Sequence, residues 1–142
     1  MKSINNINIE TDYDLWLEQQ AELLRSQDFA NLDLDNLIEE LEALGRAEKS
    51  AVKSSIYQIM LHLLLIDYWT EQKQTRGHWL AKIDAFQLQL EDKLTTNLKQ
   101  LIEENQERLY QKARKSAARK SDIDINRFPL QCPYSWKDYL DS

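Results

Sequence analysis

The chain has 142 residues, 24 acidic and 18 basic side chains and a formal net charge of −6, which suits one compact domain and disfavours nonspecific nucleic-acid binding, since phosphate neutralisation needs a concentrated basic face. Only two Gly and two Pro occur, so tight sheet turns and phosphate-cradling loops have few residues to build them, and long helices are the default. The lone Cys132 excludes an intrachain disulfide, the N-terminus MKSINNINIE lacks the basic and apolar regions of a secretory signal, and the longest apolar window, Ile59 to Ile66, is far short of the ~20 residues that span a bilayer; a cytoplasmic protein with no membrane anchor is expected.

Residues 1–11 are expected to be flexible. Asp12 is placed as the N-cap of a first helix in which Leu15, Leu17, Ala21, Leu23 and Leu24 recur at roughly helical spacing up to Gln27. Asp33 caps a second helix, where Leu34, Leu37, Ile38, Leu41 and Leu44 form one apolar stripe predicted to face the core. Gly45 could end this helix, yet the apolar phase resumes at Val52, Ile56, Ile59, Met60 and Leu63 as in one bent helix; the residues leave break and bend open. From Ile56 to Trp69 apolar side chains lie on every face, which predicts a central helix surrounded by others.

A polar turn containing Gly77 and His78 precedes a helix carrying Trp79, Ile83, Phe86, Leu90 and Leu94. Thr95 or Thr96 caps a separate helix with Leu98, Leu101, Ile102, Leu109, Tyr110, Ala113 and Ala117. In the segment 121–142, Pro129 and Pro133 push Phe128 and Cys132 towards extended backbone, while Phe128, Tyr134, Trp136 and Tyr139 offer aromatic surface for docking. This reads as a C-terminal strap with Ser135 capping a short last helix. The whole is a single all-α domain over 1–142, a bundle of about five helices with a proline-containing strap.

The residues Leu32, Asp33, Asn36-Leu37-Ile38-Glu39-Glu40, Leu44-Gly45-Arg46, His62-Leu63-Leu64, Trp79, Ile83, Tyr110, Ala113, Phe128-Pro129 and Cys132-Pro133-Tyr134 carry a resemblance to a known pattern. From about Tyr13 to Leu140 the chain resembles the domain-of-unknown-function family 29, small single-domain proteins found mainly in cyanobacteria. The resemblance implies no biochemical role. It departs from the family pattern before the tryptophan, where a basic, proline-containing turn is replaced by Glu71-Gln72-Lys73-Gln74-Thr75-Arg76-Gly77-His78.

The candidate pocket or interface residues are Asn36, Glu39, Glu40, Arg46, His62 and Trp79. His62 lacks a second histidine or cysteine at metal spacing, and among leucines it needs a hydrogen-bond partner, expected from a Glu or Tyr of a neighbouring helix. Glu39 and Glu42 share the i, i+3 spacing with which helical bundles present carboxylates to Mg²⁺, and Asp67 and Glu71 could complete the set as in helical nucleotide pyrophosphohydrolases. A solvated acidic face explains the same carboxylates without an ion. Cys132, with no adjacent base, reads as a packing residue.

Charge is uneven: residues 1–71 hold 14 acids and 5 bases, residues 72–142 hold 10 acids and 13 bases. Arg108, Lys112, Lys115 and Arg119 share one helical face, which could follow a phosphate backbone, but no recognition-helix turn or aromatic stacking motif accompanies them. The preferred reading is therefore a cytoplasmic interaction or adaptor protein that self-associates or binds another protein, with no cofactor. The alternatives are a Mg²⁺-dependent nucleotide phosphohydrolase and an antitoxin-like regulator using the basic helix on nucleic acid.

Overall fold

The computed structural model describes residues 7–140. Residues 1–6 of the segment expected to be flexible, and the last two residues of the strap, lie outside the described residues. The fold is all-α, with five α-helices and no strand among the described residues: α1 Tyr13–Arg25, α2 Leu34–Tyr68, α3 Arg76–Lys93, α4 Thr96–Ser121 and α5 Trp136–Tyr139. α2 settles the question left open at Gly45, because it runs through that glycine as one 35-residue helix. Two compact units divide within it, unit 1 ending at Arg46 and unit 2 starting at Ala47.

In unit 1, α1 ends in a Schellman motif: Asp28 N–H donates to Leu23 O (2.8 Å) and Gln27 N–H to Leu24 O (3.0 Å), with Gln27 left-handed at φ 61°. The side chains buried on α1 are Trp16, Gln20 and Leu23, spaced four and three apart on one face. Trp16 and Gln20 converge on Asp33. Trp16 Nε1–H donates to Asp33 Oδ2 (3.0 Å), Asp33 N–H donates to Gln20 Oε1 (2.9 Å), and Asn36 Nδ2 donates to Asp33 Oδ2 (2.9 Å). The register expected for the apolar residues is corrected here. Leu15, Leu17 and Leu24 of α1 are exposed, as are Leu34, Ile38, Leu41 and Leu44 of α2 at 51–60%, while Leu37 is half-buried. The indole of Trp16 brings the largest apolar area to α1 and finds its acceptor in Asp33, so α1 docks by the tryptophan face and the leucine stripe of α2 is left outside the core.

Unit 2 is organised around the second half of α2, where Val52, Ile56, Ile59, Met60, Leu64 and Leu65 have no exposed surface. Leu63, placed on the core stripe by its spacing, is only half-buried. α3 contributes Trp79, Ile83 and Leu90 to this core, and α4 contributes Ile102, Leu109, Tyr110, Ala113 and Ala117. Thr95 caps α4 as predicted, its Oγ1 accepting from Leu98 N at 3.2 Å. The predicted turn around Gly77 is shorter than expected: α3 begins at Arg76, so Gly77 and His78 already lie in its first turn.

The strap is fastened to one face of α4, whose residues 103, 106, 107, 110 and 111 repeat at helical spacing. Trp136 Nε1–H donates to Glu103 Oε2 (3.0 Å), and Gln106 Nε2 donates to Tyr134 O (2.7 Å) and to the Tyr139 hydroxyl (2.8 Å). Cys132 N–H donates to Glu107 Oε1 (2.7 Å), the Tyr110 hydroxyl to Pro129 O (2.6 Å), and Gln111 Nε2 to Leu130 O (2.8 Å). Prolines deny the strap its own regular hydrogen bonds, and these side chains satisfy its backbone instead. Phe128 and Tyr139 enter the core, and α5 starts where Ser135 N–H donates to Asp138 Oδ2 at 2.9 Å.

Candidate functional site

A cleft of about 480 Å³ opens in unit 2, lined by Gln58, Leu61 and His62 of α2, by His78, Trp79, Lys82 and Phe86 of α3, and by Lys120 in the last turn of α4. Helical periodicity assembles it. Positions 58 and 62 are one turn apart on α2, and 78, 82 and 86 follow at intervals of four along α3.

His62 is 7% exposed, and its Nδ1–H donates to Gln58 O, one turn back on its own helix, at 2.7 Å. The expected partner from a neighbouring helix is thus replaced by main chain. A carbonyl can only accept, so the proton sits on Nδ1 and neutral His62 keeps Nε2 as an acceptor. Its ring lies 6.2 Å from that of Phe86. Burial pushes the His62 pKa below its usual value; the Gln58 carbonyl opposes this, while the charges of Lys120, Lys82 and His78 reinforce it. Trp79 is buried and stacks on Trp69 with 5.6 Å between ring centroids.

Of the six residues singled out from the sequence, His62 and Trp79 line this one cleft. The other four belong to unit 1: Asn36 is held by Asp33, Glu40 Oε1 accepts from the Tyr13 hydroxyl at 2.7 Å, and Glu39 and Arg46 are exposed. Asn36, with Trp16 beside it, holds the Asp33 carboxyl below the usual carboxylate range against the opposing effect of burial. Arg108, Lys112, Lys115 and Arg119 are all exposed on α4, whereas Arg114 of the same run is turned inward, its Nε buried without a partner among the described residues.

Among the described residues no three His, Cys, Asp or Glu side chains gather closely enough to hold a metal ion. Glu39 and Glu42 lie in unit 1, and in unit 2 Asp67 Oδ2 accepts from the Tyr134 hydroxyl at 3.0 Å. Cys132 is half-buried against Gln106 and Tyr139, consistent with packing. No helix among the described residues is long and apolar enough to cross a membrane.

The sequence reading missed Gln58, Lys82, Phe86 and Lys120 as companions of His62, and set His78 aside as a loop residue. The α2 and α3 members carry a signal in their i, i+4 spacing; Lys120, 58 positions beyond His62, carries none. A second surface feature is the set of exposed apolar side chains of unit 1. Neither a curated protein nor a solved structure matches the chain. The model of the family described as Domain of unknown function DUF29 matches residues 9–142, and the chain therefore belongs to that family.

Proposed function

We propose that this protein is a self-associating protein–protein interaction module, in which the apolar, acidic face of unit 1 docks on the basic face of α4 in a second copy. One observation carries this reading. Of the twelve large apolar side chains exposed among the described residues, nine fall between Tyr13 and Leu44. Leu34, Leu37, Leu41 and Leu44 repeat at three and four, the spacing with which one helix packs on another, and an exposed apolar surface of this extent marks an interaction site.

Charge supports a second copy as the occupant. Up to Arg46 the chain carries 11 acidic and 3 basic residues, and Glu40 and Glu42 flank the stripe, Glu42 exposed. On α4, Arg108, Lys112, Lys115 and Arg119 are exposed, and Lys53, Tyr57, Leu109 and Lys112 border a shallow groove that offers apolar floor with a basic rim. Complementary charge of this kind sets register and association rate more than affinity. A reducing cytoplasm suits the role, since Cys132 is unpaired.

Multi-angle light scattering over a concentration series tests the proposal. Association is expected at low salt and weakening above physiological ionic strength, where screening acts within about 8 Å. The paired changes Leu41→Glu with Leu44→Glu, and separately Lys112→Glu with Arg119→Glu, should each return the protein to monomer. A monomer at every concentration and salt overturns the reading, as does association that neither pair of changes reduces.

A further inference from the structure

We propose that the His62 cleft of unit 2 binds a small phosphate monoester, its phosphate held by His78, Lys82 and Lys120 and its organic part lying along Phe86 and Trp79. This goes beyond the interaction reading and is independent of it. The charged side chains that line the cleft are all cationic, and no carboxylate is among them. Lys82 and Lys120 take part in no ion pair among the described residues, where the pairs are Arg25–Glu22 and Lys93–Glu48. Cations brought together from two helices without an acid repel one another until an anion joins them.

Three further features match the ligand. α3 has no acidic residue in its first turn and no side-chain cap, because Thr75 Oγ1 donates to Gln72 O at 2.9 Å; the positive end of the helix is therefore uncompensated in the turn that holds His78. Neutral His62 keeps Nε2 as an acceptor, which suits the one P–OH that a monoester retains below its second pKa of about 6, while the lysines serve its charged oxygens in either form. A volume of about 480 Å³ is far more than a bare oxyanion fills, and the aromatic wall of Phe86 and Trp79 offers apolar contact to the remainder.

Calorimetric titration of the full chain with phenyl phosphate, inorganic phosphate and phenol, at constant ionic strength in chloride, tests this. Saturable one-to-one binding of phenyl phosphate is expected, tighter than either part alone, with the His62 imidazole nitrogen resonances moving on saturation. Lys82→Gln and Lys120→Gln are exposed changes that leave the core intact, and each should weaken binding about tenfold, the loss expected of one charge-assisted hydrogen bond. Lys137→Gln, exposed on α5, should leave it unchanged. The proposal is overturned by absence of saturable phenyl phosphate binding, by phenol or inorganic phosphate binding as tightly, or by Lys137→Gln weakening it as much as the cleft variants.

Discussion

Units 1 and 2 are both built from helices with apolar faces but cover them differently. In unit 2 one core cluster holds 18 buried side chains, contributed by α2, α3, α4 and the strap. In unit 1 the buried apolar side chains are Trp16 and Leu23, and the α2 stripe from Leu34 to Leu44 meets solvent. Hydrophobic periodicity therefore establishes that a helix has an apolar face; whether that face is buried depends on how many elements are available to cover it. α2 passes through both situations in one continuous helix.

The largest expected effect tests this contrast directly. Leu64 has no exposed surface, so Leu64→Ala should lower the unfolding free energy by ~2–5 kcal/mol through lost transfer energy and a residual cavity. Leu41 is 60% exposed, and Leu41→Ala in dilute monomer should change stability by no more than ~0.5 kcal/mol. Urea denaturation followed by circular dichroism measures both. A Leu41 variant as damaged as the Leu64 variant would mean that the stripe is covered and the contrast is false.

Alkaline pH should act on unit 2. Burial pushes the Tyr110 hydroxyl from 10.0 up to about 12, and burial also raises Tyr134, helped by Asp67, and Tyr139, helped by Cys132. The folded state thus favours the neutral phenols. The stability this contributes is fully present below about pH 10 and is lost as pH rises from 10 through about 12. A spectrophotometric titration should find these three of the six tyrosines ionising only as the strap comes away. If Tyr110, Tyr134 and Tyr139 titrate near pH 10 while the circular dichroism stays native, the packing of the strap is not as described.

A smaller loss is expected in unit 1. Asp33→Ala leaves the indole N–H of Trp16, which is 1% exposed, without its acceptor, at a cost of about 1–2 kcal/mol. The pH signature is opposite to that of the tyrosines. The Asp33 carboxyl is depressed, chiefly by Asn36, so its contribution is present above the ordinary carboxylate pKa of 3.8 and is lost as pH falls below it. Asp33→Ala should flatten stability in that acid range; an unchanged acid limb would remove Asp33 as the hub of the unit.

Local signals in the sequence were legible. Thr95 caps α4, Ser135 opens α5, and apolar residues on every face of 56–69 mark the central helix. Each depends on spacing within one helix. What the sequence concealed depends on contacts between distant residues. Nothing local tells that the tryptophan face of α1 outcompetes its leucines, or that Gln106 reaches Tyr134 and Tyr139. The candidate site divides the same way: His62 and Trp79 stood out by residue type, but Lys120 joins them only through tertiary packing, and Asn36, Glu39, Glu40 and Arg46 fall in the other unit.

The smallest expected effect lies at the border between the units. Gly45 is exposed, lies within α2 with no positive φ, and a Cβ added there would meet nothing within 4 Å. A glycine in an exposed helix interior is ~1 kcal/mol worse than alanine, because the unfolded chain loses more freedom when it is fixed. Gly45→Ala should therefore stabilise the protein by about 0.5–1 kcal/mol and raise its helical circular dichroism. A helix that ended at Gly45 would hold it left-handed, where alanine is strained by about 1–2 kcal/mol and the substitution would destabilise instead. The sign of the shift in urea midpoint thus tests the continuity of α2 at Gly45.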